Sequence, residues 1–293
     1  MTLLLYNVLE INVSREHIEF IQSQVLPWQS CPFQYDVQYK ELSVDQKTQA
    51  TTGVFKYKKN WLEEEAYWLA SEEEFFVLKG EIEINKIRYT EGYYGYLPAN
   101  YLRKTVKANK YTVLIRFIDQ SPQPIYYQYG DPLPVMKKEA IEGINTFDMQ
   151  WDKGVQDEKL LHLDFGRKIL RIDPTTKAKT FLYMVSPQTY PQQWKGPREH
   201  HPTVEESFCV TGSLAGEHGV MRTGAYFWRP PEIPHGPYGS RTGAVLLIRF
   251  VGGEHVNHWS QELYPFTFDP DYEPILPERL QSIGKKEWLP EPF

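Results

Sequence analysis

Residues 199–235 read EHHPTVEESFCVTGSLAGEHGVMRTGAYFWRPPEIPH, and residues 67–103 read YWLASEEEFFVLKGEIEINKIRYTEGYYGYLPANYLR. Laid over each other, the two stretches share a skeleton at a constant offset of 132 positions. Glu73 falls on Glu205, Phe76 on Phe208, Gly80 on Gly212, Gly92 on Gly224 and Pro98 on Pro230. The first stretch is followed by VLIRF at 113–117 and the second by LLIRF at 246–250. Leu69 and Arg103 then stand where the second copy has His201 and His235. A constant offset over five matches is the mark of an internal duplication, and histidines confined to one copy place the chemistry in the second half.

The repeat reaches further upstream. RKILRID at 167–173 echoes YKELSVD at 39–45, with Lys40 and Asp45 matching Lys168 and Asp173. Between Tyr39 and Phe117 short apolar runs are broken by Gly, Pro and Asn at strand-plus-turn intervals, which predicts an all-β chain. The aromatic share of 15% points the same way. Ser14 is expected to cap a short helix over REHIEFIQSQV, where Ile18, Ile21 and Val25 share a face and Pro27 follows as a stop. Residues 119–134, with four prolines, read as a linker, and MKKEAIEGINTF beyond it as a helix or an irregular approach. Two lobes are expected, residues 1–125 and 126–293, the second ending in an aromatic, proline-rich arm that packs over a barrel or a subunit neighbour.

Composition narrows the function. A net charge of −6 without a basic stripe argues against nucleic acid. No apolar run reaches the length of a membrane span, and the N-terminal MTLLLYNVLEINV lacks the basic start and cleavage site of a signal peptide, so a cytoplasmic protein is expected. The two cysteines, Cys31 and Cys209, lie in different repeats, which makes a disulfide framework improbable.

Seven of the eight histidines lie at or beyond position 162. The candidate metal ligands are His200, His201, Glu205 and His235, with Glu199 as the alternative to His200. On a strand, residues 199, 201 and 205 share one face, so parity favours Glu199, while a bulge at the strand entry would turn His200 inward. Imidazoles with a carboxylate suit Fe, Mn, Ni, Cu or Zn better than Mg or Ca. Cys209, Tyr226 and Trp228 are pocket candidates, each equally readable as core filling. His218, His255 and His258 read as surface or packing residues.

These motifs resemble the paired motifs of the cupin superfamily. His201, three residues, Glu205, six residues, Gly212 fits the first motif, and Gly224, five residues, Pro230 through His235 fits the second. Glu232 departs from the pattern, since the family usually has glycine there, and the first histidine of the His-x-His pair falls on Glu199. The EE pair, the GEHG turn and the RPP before His235 further resemble the cupin lobe of ChrR-type metal-binding proteins. The resemblance implies an all-β chain of two tandem jelly-roll barrels, with one divalent transition metal per chain (Fe, Mn, Ni or Zn) in the second. It implies a metal-dependent enzyme acting on a small organic molecule, of dioxygenase, decarboxylase or isomerase type. The alternatives are a metal- or ligand-binding regulatory module without catalysis, and a structural or sugar-binding protein. The first lobe reads as a cupin without its metal, with Arg103 meeting Glu73 in place of the cation. Exposed barrel edges and the aromatic arm suggest a homodimer.

Overall fold

The computed structural model describes residues 15–154, 157–191, 193–286 and 288. Ser14 and the apolar start lie outside these residues. The chain is almost entirely β, built as two jelly-roll lobes whose sheets face each other as open layers rather than closing into barrels. In the first lobe a seven-stranded sheet runs, in spatial order, Ile141–Asn145, Tyr93–Leu97, Glu73–Lys79, Thr112–Ile118, Thr51–Tyr57, Val37–Val44, Gln29–Ser30. A four-stranded sheet covers its inner face, and Phe55, Phe75, Val77 and Leu114 of one layer meet Ile82, Tyr89 and Val106 of the other.

The second lobe repeats the plan with Ile18–Gln22, Ala225–Arg229, Val204–Gly216, Ala244–Val251, Lys179–Val185 and Gly166–Ile172. Lys195–His200 pairs with His258–Pro265 as a separate two-stranded layer. The large sheets of the two lobes stack through a third core that includes Phe76, Tyr94, Phe117, Phe208, Tyr226 and Leu247. The matched glycines are turn positions: Gly80 and Gly212 take φ of +84° and +83°, and a Cβ on either would sit 2.1 Å from a carbonyl oxygen, of Tyr111 and Gly243. Only glycine meets both demands.

The lobes exchange strands. Ile18–Gln22 pairs with Ala225–Arg229 in the second lobe, and Ile141–Asn145 pairs with Tyr93–Leu97 in the first. A division at residue 125 thus leaves each of these strands on the other lobe's side. Ile18 opposes Trp228 as Ile141 opposes Tyr96, and Ile21 opposes Tyr226 as Ile144 opposes Tyr94, so the exchanged strands are themselves a repeated element. The helix expected over 15–25 is therefore a strand followed by one 3-10 turn. Ile18 and Ile21 have helical spacing, but all of Ile18–Gln22 is buried, and a sheet edge satisfies its backbone. MKKEAIEGINTF resolves the same way, into Ile141–Asn145 and a 3-10 turn capped by Asn145. Part of the linker is also ordered, as Pro124–Tyr126 pairs with Tyr67–Leu69.

The C-terminal arm crosses back over its own chain. After His258–Pro265 it ends in a helix, Glu278–Gly284, whose Leu280 joins Leu276, Ile18 and Ile21 in the central core. No helix among the described residues is long and apolar enough to cross a membrane.

Candidate metal centre

Two short segments bring the site together. Glu199 and His235 form an antiparallel bridge, each backbone N–H donating to the other's carbonyl at 2.9 Å. His201 ends the approach to Val204–Gly216, and its carbonyl accepts from the N–H of Glu232 at 2.8 Å. Glu232 takes φ +65°, the left-handed conformation that glycine adopts at least cost, which accounts for the preference for glycine at this turn.

Glu199, His201 and His235 present donor atoms within 4.8 Å of one another. Glu205 lies beside them, its Oε2 3.5 Å from Nε2 of His235 and 3.7 Å from Nε2 of His201. Both imidazoles are held from behind: Nδ1 of His201 is 3.0 Å from the carbonyl of Val256, and Nδ1 of His235 is 2.9 Å from that of Ile233. A carbonyl can only accept, so Nδ1 carries the proton and the Nε2 lone pair faces the cluster, as a ligand must. Burial lowers the pKa of both rings, most strongly for His235, where Arg229 adds to the effect; both are thus neutral and competent to ligate. Burial first, then the charge of Glu205, pushes the Glu199 carboxyl up to about 8. A buried carboxyl raised by its neighbour is an environment that a cation would relieve. Two nitrogen donors and buried carboxylates fit a divalent transition metal.

His200 is not part of this group. It faces the other way, as strand alternation requires, with Nε2 3.2 Å from Glu232 and its ring stacked on His258 at 5.2 Å. The parity argument points inward at Glu199; the pairing is irregular between Pro197 and Glu199, but this does not turn His200 inward. The three pocket candidates also lie elsewhere. Tyr226 and Trp228 face the core between the lobes, where the Tyr226 hydroxyl donates to Glu206 at 2.6 Å. Their neighbours Phe227 and Arg229, on the opposite face of the same strand, line the cavity. Cys209 is sealed in the second-lobe core with its Sγ 3.6 Å from the Thr211 carbonyl, and burial pushes the thiol up to about 12.

The cavity beside the cluster measures about 70 Å³. Two of its residues escaped the sequence reading. His255 stacks on Phe250 at 3.8 Å and meets His201 edge-on at 5.2 Å, and burial, with His201 and Arg167 nearby, holds it down to about 3. Arg229 is fully enclosed, ion-paired with both Glu205 and Glu19, and donates to the Tyr238 hydroxyl at 3.0 Å. Burial alone would raise the Glu19 carboxyl, but Arg229 and His17 together outweigh it and bring the value to about 2. Glu19 comes from the exchanged strand, so the Glu205 side of the site depends on a residue nearly two hundred positions upstream. The RPP motif contained Arg229, but nothing local pairs it with Glu19.

At the corresponding place in the first lobe, Glu73 accepts from Arg103 Nη2 and from Arg116 Nε, both at 2.7 Å, and all three are buried. The expected ion pair is there, enlarged to a triad. Arg116 entered through a slip between the repeats. VLIRF and LLIRF match in letters, but Arg116 pairs with Phe75 where Ile248 pairs with Ser207, so Arg249 sits one residue further on and faces the opposite way. Arg116 thus points at Glu73, while Arg249 bridges Glu74 and Glu206 between the lobes.

Residues 16–121 match the family model of the ChrR cupin-like domain. That segment is the first lobe plus the exchanged strand, the lobe without histidine ligands. A comparison with curated protein sequences finds no match. Among solved structures, one described as a putative dioxygenase from Nostoc punctiforme is similar with a TM-score of 0.71 at 14% identity, covering 87% of this chain and 92% of its own. Two structures of oxalate decarboxylase, one of them a variant of the Bacillus subtilis protein, are similar with a TM-score of 0.53 at 12% and 13% identity, covering 82% of this chain and 78% of theirs. At such identities the likeness speaks for the fold.

Proposed function

We propose that this chain, a two-lobed member of the cupin superfamily by fold, is a metal-dependent enzyme acting on a small organic molecule, with one metal centre per chain in the second lobe. The observation that carries this reading is the pair of back-bonded imidazoles, His201 and His235, whose donor atoms gather with that of Glu199 beside a cavity, with Glu205 next to them and tied to Arg229. The ligands would be His201, His235, Glu199 and Glu205. A divalent ion there supplies Lewis acidity toward substrate oxygens, or redox chemistry with dioxygen if it is iron.

The chain's own residues do the rest. The Val256 and Ile233 carbonyls fix ring tautomer and direction, which raises ligand basicity. Arg229, braced by Glu19 and Tyr238, holds the Glu205 carboxylate in place and limits its charge. Leu160, Phe227, Leu246 and Ile248 make the cavity wall apolar, which excludes water and strengthens every polar contact inside. Dioxygenation, decarboxylation and isomerisation are all compatible with such a site, and the likeness to a putative dioxygenase and to oxalate decarboxylase supports the first two.

Elemental analysis of the purified protein tests the metal. One transition-metal ion per chain is expected, lost in His235→Ala and retained in Arg103→Ala. Two ions per chain, or none, defeats the reading. Dioxygen uptake and carbon dioxide release, screened across small organic acids and diketones with the loaded protein, then test turnover. The ChrR-like match favours a second reading, a metal- or ligand-binding regulatory module without catalysis, which predicts binding without turnover in that screen.

A further inference from the structure

Resting on the reading of the second lobe as an enzyme, we propose that Arg167 anchors a carboxylate of the substrate, so that the substrate class is small organic acids. The buried guanidiniums of this chain are matched to carboxylates. Arg103 and Arg116 share Glu73, Arg229 holds Glu19 and Glu205, and Arg249 holds Glu74, Asp119 and Glu206. Arg167, half-buried at the cavity, is the exception. Among the described residues it forms no ion pair, and its Nε is buried without any hydrogen-bond partner.

Its surroundings leave one direction open. The guanidinium carbon lies 4.9 Å from the ring centre of Phe165 and 5.8 Å from that of Phe181, so aromatic faces cover the planar group. Ring faces satisfy the charge but accept no in-plane hydrogen bond, which leaves the N–H edge to be met. The carboxylate of Asp157 is engaged by the Lys159 N–H and the Trp259 indole at 2.9 Å. Arg167 lines the same cavity as Glu199, His201 and His235.

A ligand carboxylate supplies what this edge lacks, accepting from Nε–H and one Nη–H in parallel. A buried donor left unmatched is costly, so the site is built to reward an occupant that completes it and to reject the neutral analogue that cannot. Size narrows the class further: about 70 Å³ accommodates roughly five to seven water-sized groups. That is the scale of a short organic acid whose far end reaches the histidine side, and too small for a polycyclic substrate.

The test is calorimetric titration of the metal-loaded protein with lactate, pyruvate and malonate, set against lactamide and malonamide. The acids are expected to bind at least about tenfold more tightly than the amides. Arg167→Met should erase that preference while keeping the metal content of the wild type, and Arg167→Lys, which keeps charge but not the fork, should restore part of it. If Arg167→Met fails to fold, the Lys variant and the acid–amide comparison in the wild type still decide. Equal binding of acid and amide, unchanged acid binding in Arg167→Met, or no binding of any acid at millimolar concentration overturns the proposal. A protein without metal that still prefers acids through Arg167 would sink the enzyme reading and leave the anchor standing. A metal-loaded protein indifferent to Arg167 would do the reverse.

Discussion

The two lobes solve one electrostatic problem in two ways. Each buries a glutamate at the same point of the same sheet, Glu73 in the first and Glu205 in the second. In the first lobe two guanidiniums close on Glu73 from both sides, and the interior beside it is filled by Leu69 and Tyr67. In the second, one guanidinium is shared with Glu19, and imidazoles replace the leucine and the arginine. In the first centre the carboxylate is fully engaged. The second holds an extra carboxyl, Glu199, that forms no ion pair with a guanidinium among the described residues, beside a cavity. The same fold becomes a strut where its buried carboxylate is fully met by guanidiniums, and a candidate binding site where a carboxyl is left over.

The sharpest way to break this contrast is to unbalance the finished centre. Glu73→Leu leaves Arg103 and Arg116 facing each other without a counter-charge and should cost about 3–5 kcal/mol in urea unfolding. Arg103→Met should cost less, because Arg116 still holds Glu73. Replacing all three with Leu, Met and Leu should recover much of the loss, since buried charge clusters exchange for apolar groups at little net cost. A triple variant as unstable as Glu73→Leu would show that the triad does more than neutralise itself.

The open centre is tested by the pair that strand parity separates. Glu199→Ala should weaken metal binding by at least about a hundredfold, and His200→Ala by less than about threefold, measured by competition with a chelator. Similar losses from both would return His200 to the ligand set. Next in size is the brace. Glu19→Gln, acting through Arg229 on Glu205, should lower metal affinity by about ten- to a hundredfold. Unchanged affinity would mean that Glu205 does not ligate, or that Arg229 alone suffices.

How much of this was legible in the sequence depends on the distance over which each interaction acts. The offset of 132 located both glutamates and the Glu73–Arg103 contact, because identical strands in identical registers put like positions together. Alternation along a strand was enough to favour Glu199 over His200. It also contained the answer for Ala225–Arg229, where Phe227 and Arg229 line the cavity and Tyr226 and Trp228 do not, but choosing that face requires knowing which side meets the other lobe. The strand at Ile18–Gln22 was read as a helix because its pairing partner lies some two hundred residues away, and local spacing cannot report it. Arg116 was hidden by a one-residue slip between two runs that look identical. His255, which the sequence offers as a packing residue, does pack, but against the proposed ligand His201.

The smallest expected effect concerns acid. Burial raises the Glu73 carboxyl, yet Arg116 and Arg103 together outweigh it and hold the pKa below the usual carboxylate range. A carboxyl depressed in the folded chain contributes stability that is fully present above its unfolded value of about 4.3 and is lost as pH falls through the lower folded value. Below about pH 4.5 the triple variant should therefore lose urea stability less steeply than the wild type. Parallel acid limbs would mean that Glu73 titrates alike in both states.

The reciprocal donation of Ile18–Gln22 and Ile141–Asn145 makes this polypeptide a covalent version of a clasped pair. A protease that nicked the exposed stretch around Gly130 and Asp131 would cut the thread without parting the halves, since each would still hold the other's edge strand. A fragment beginning at residue 126 would keep every proposed metal ligand yet lack Glu19, leaving Arg229 one partner short and the edge of Ala225–Arg229 bare. Such an edge takes whatever strand is offered, so truncation should yield swapped or aggregated species rather than a smaller enzyme.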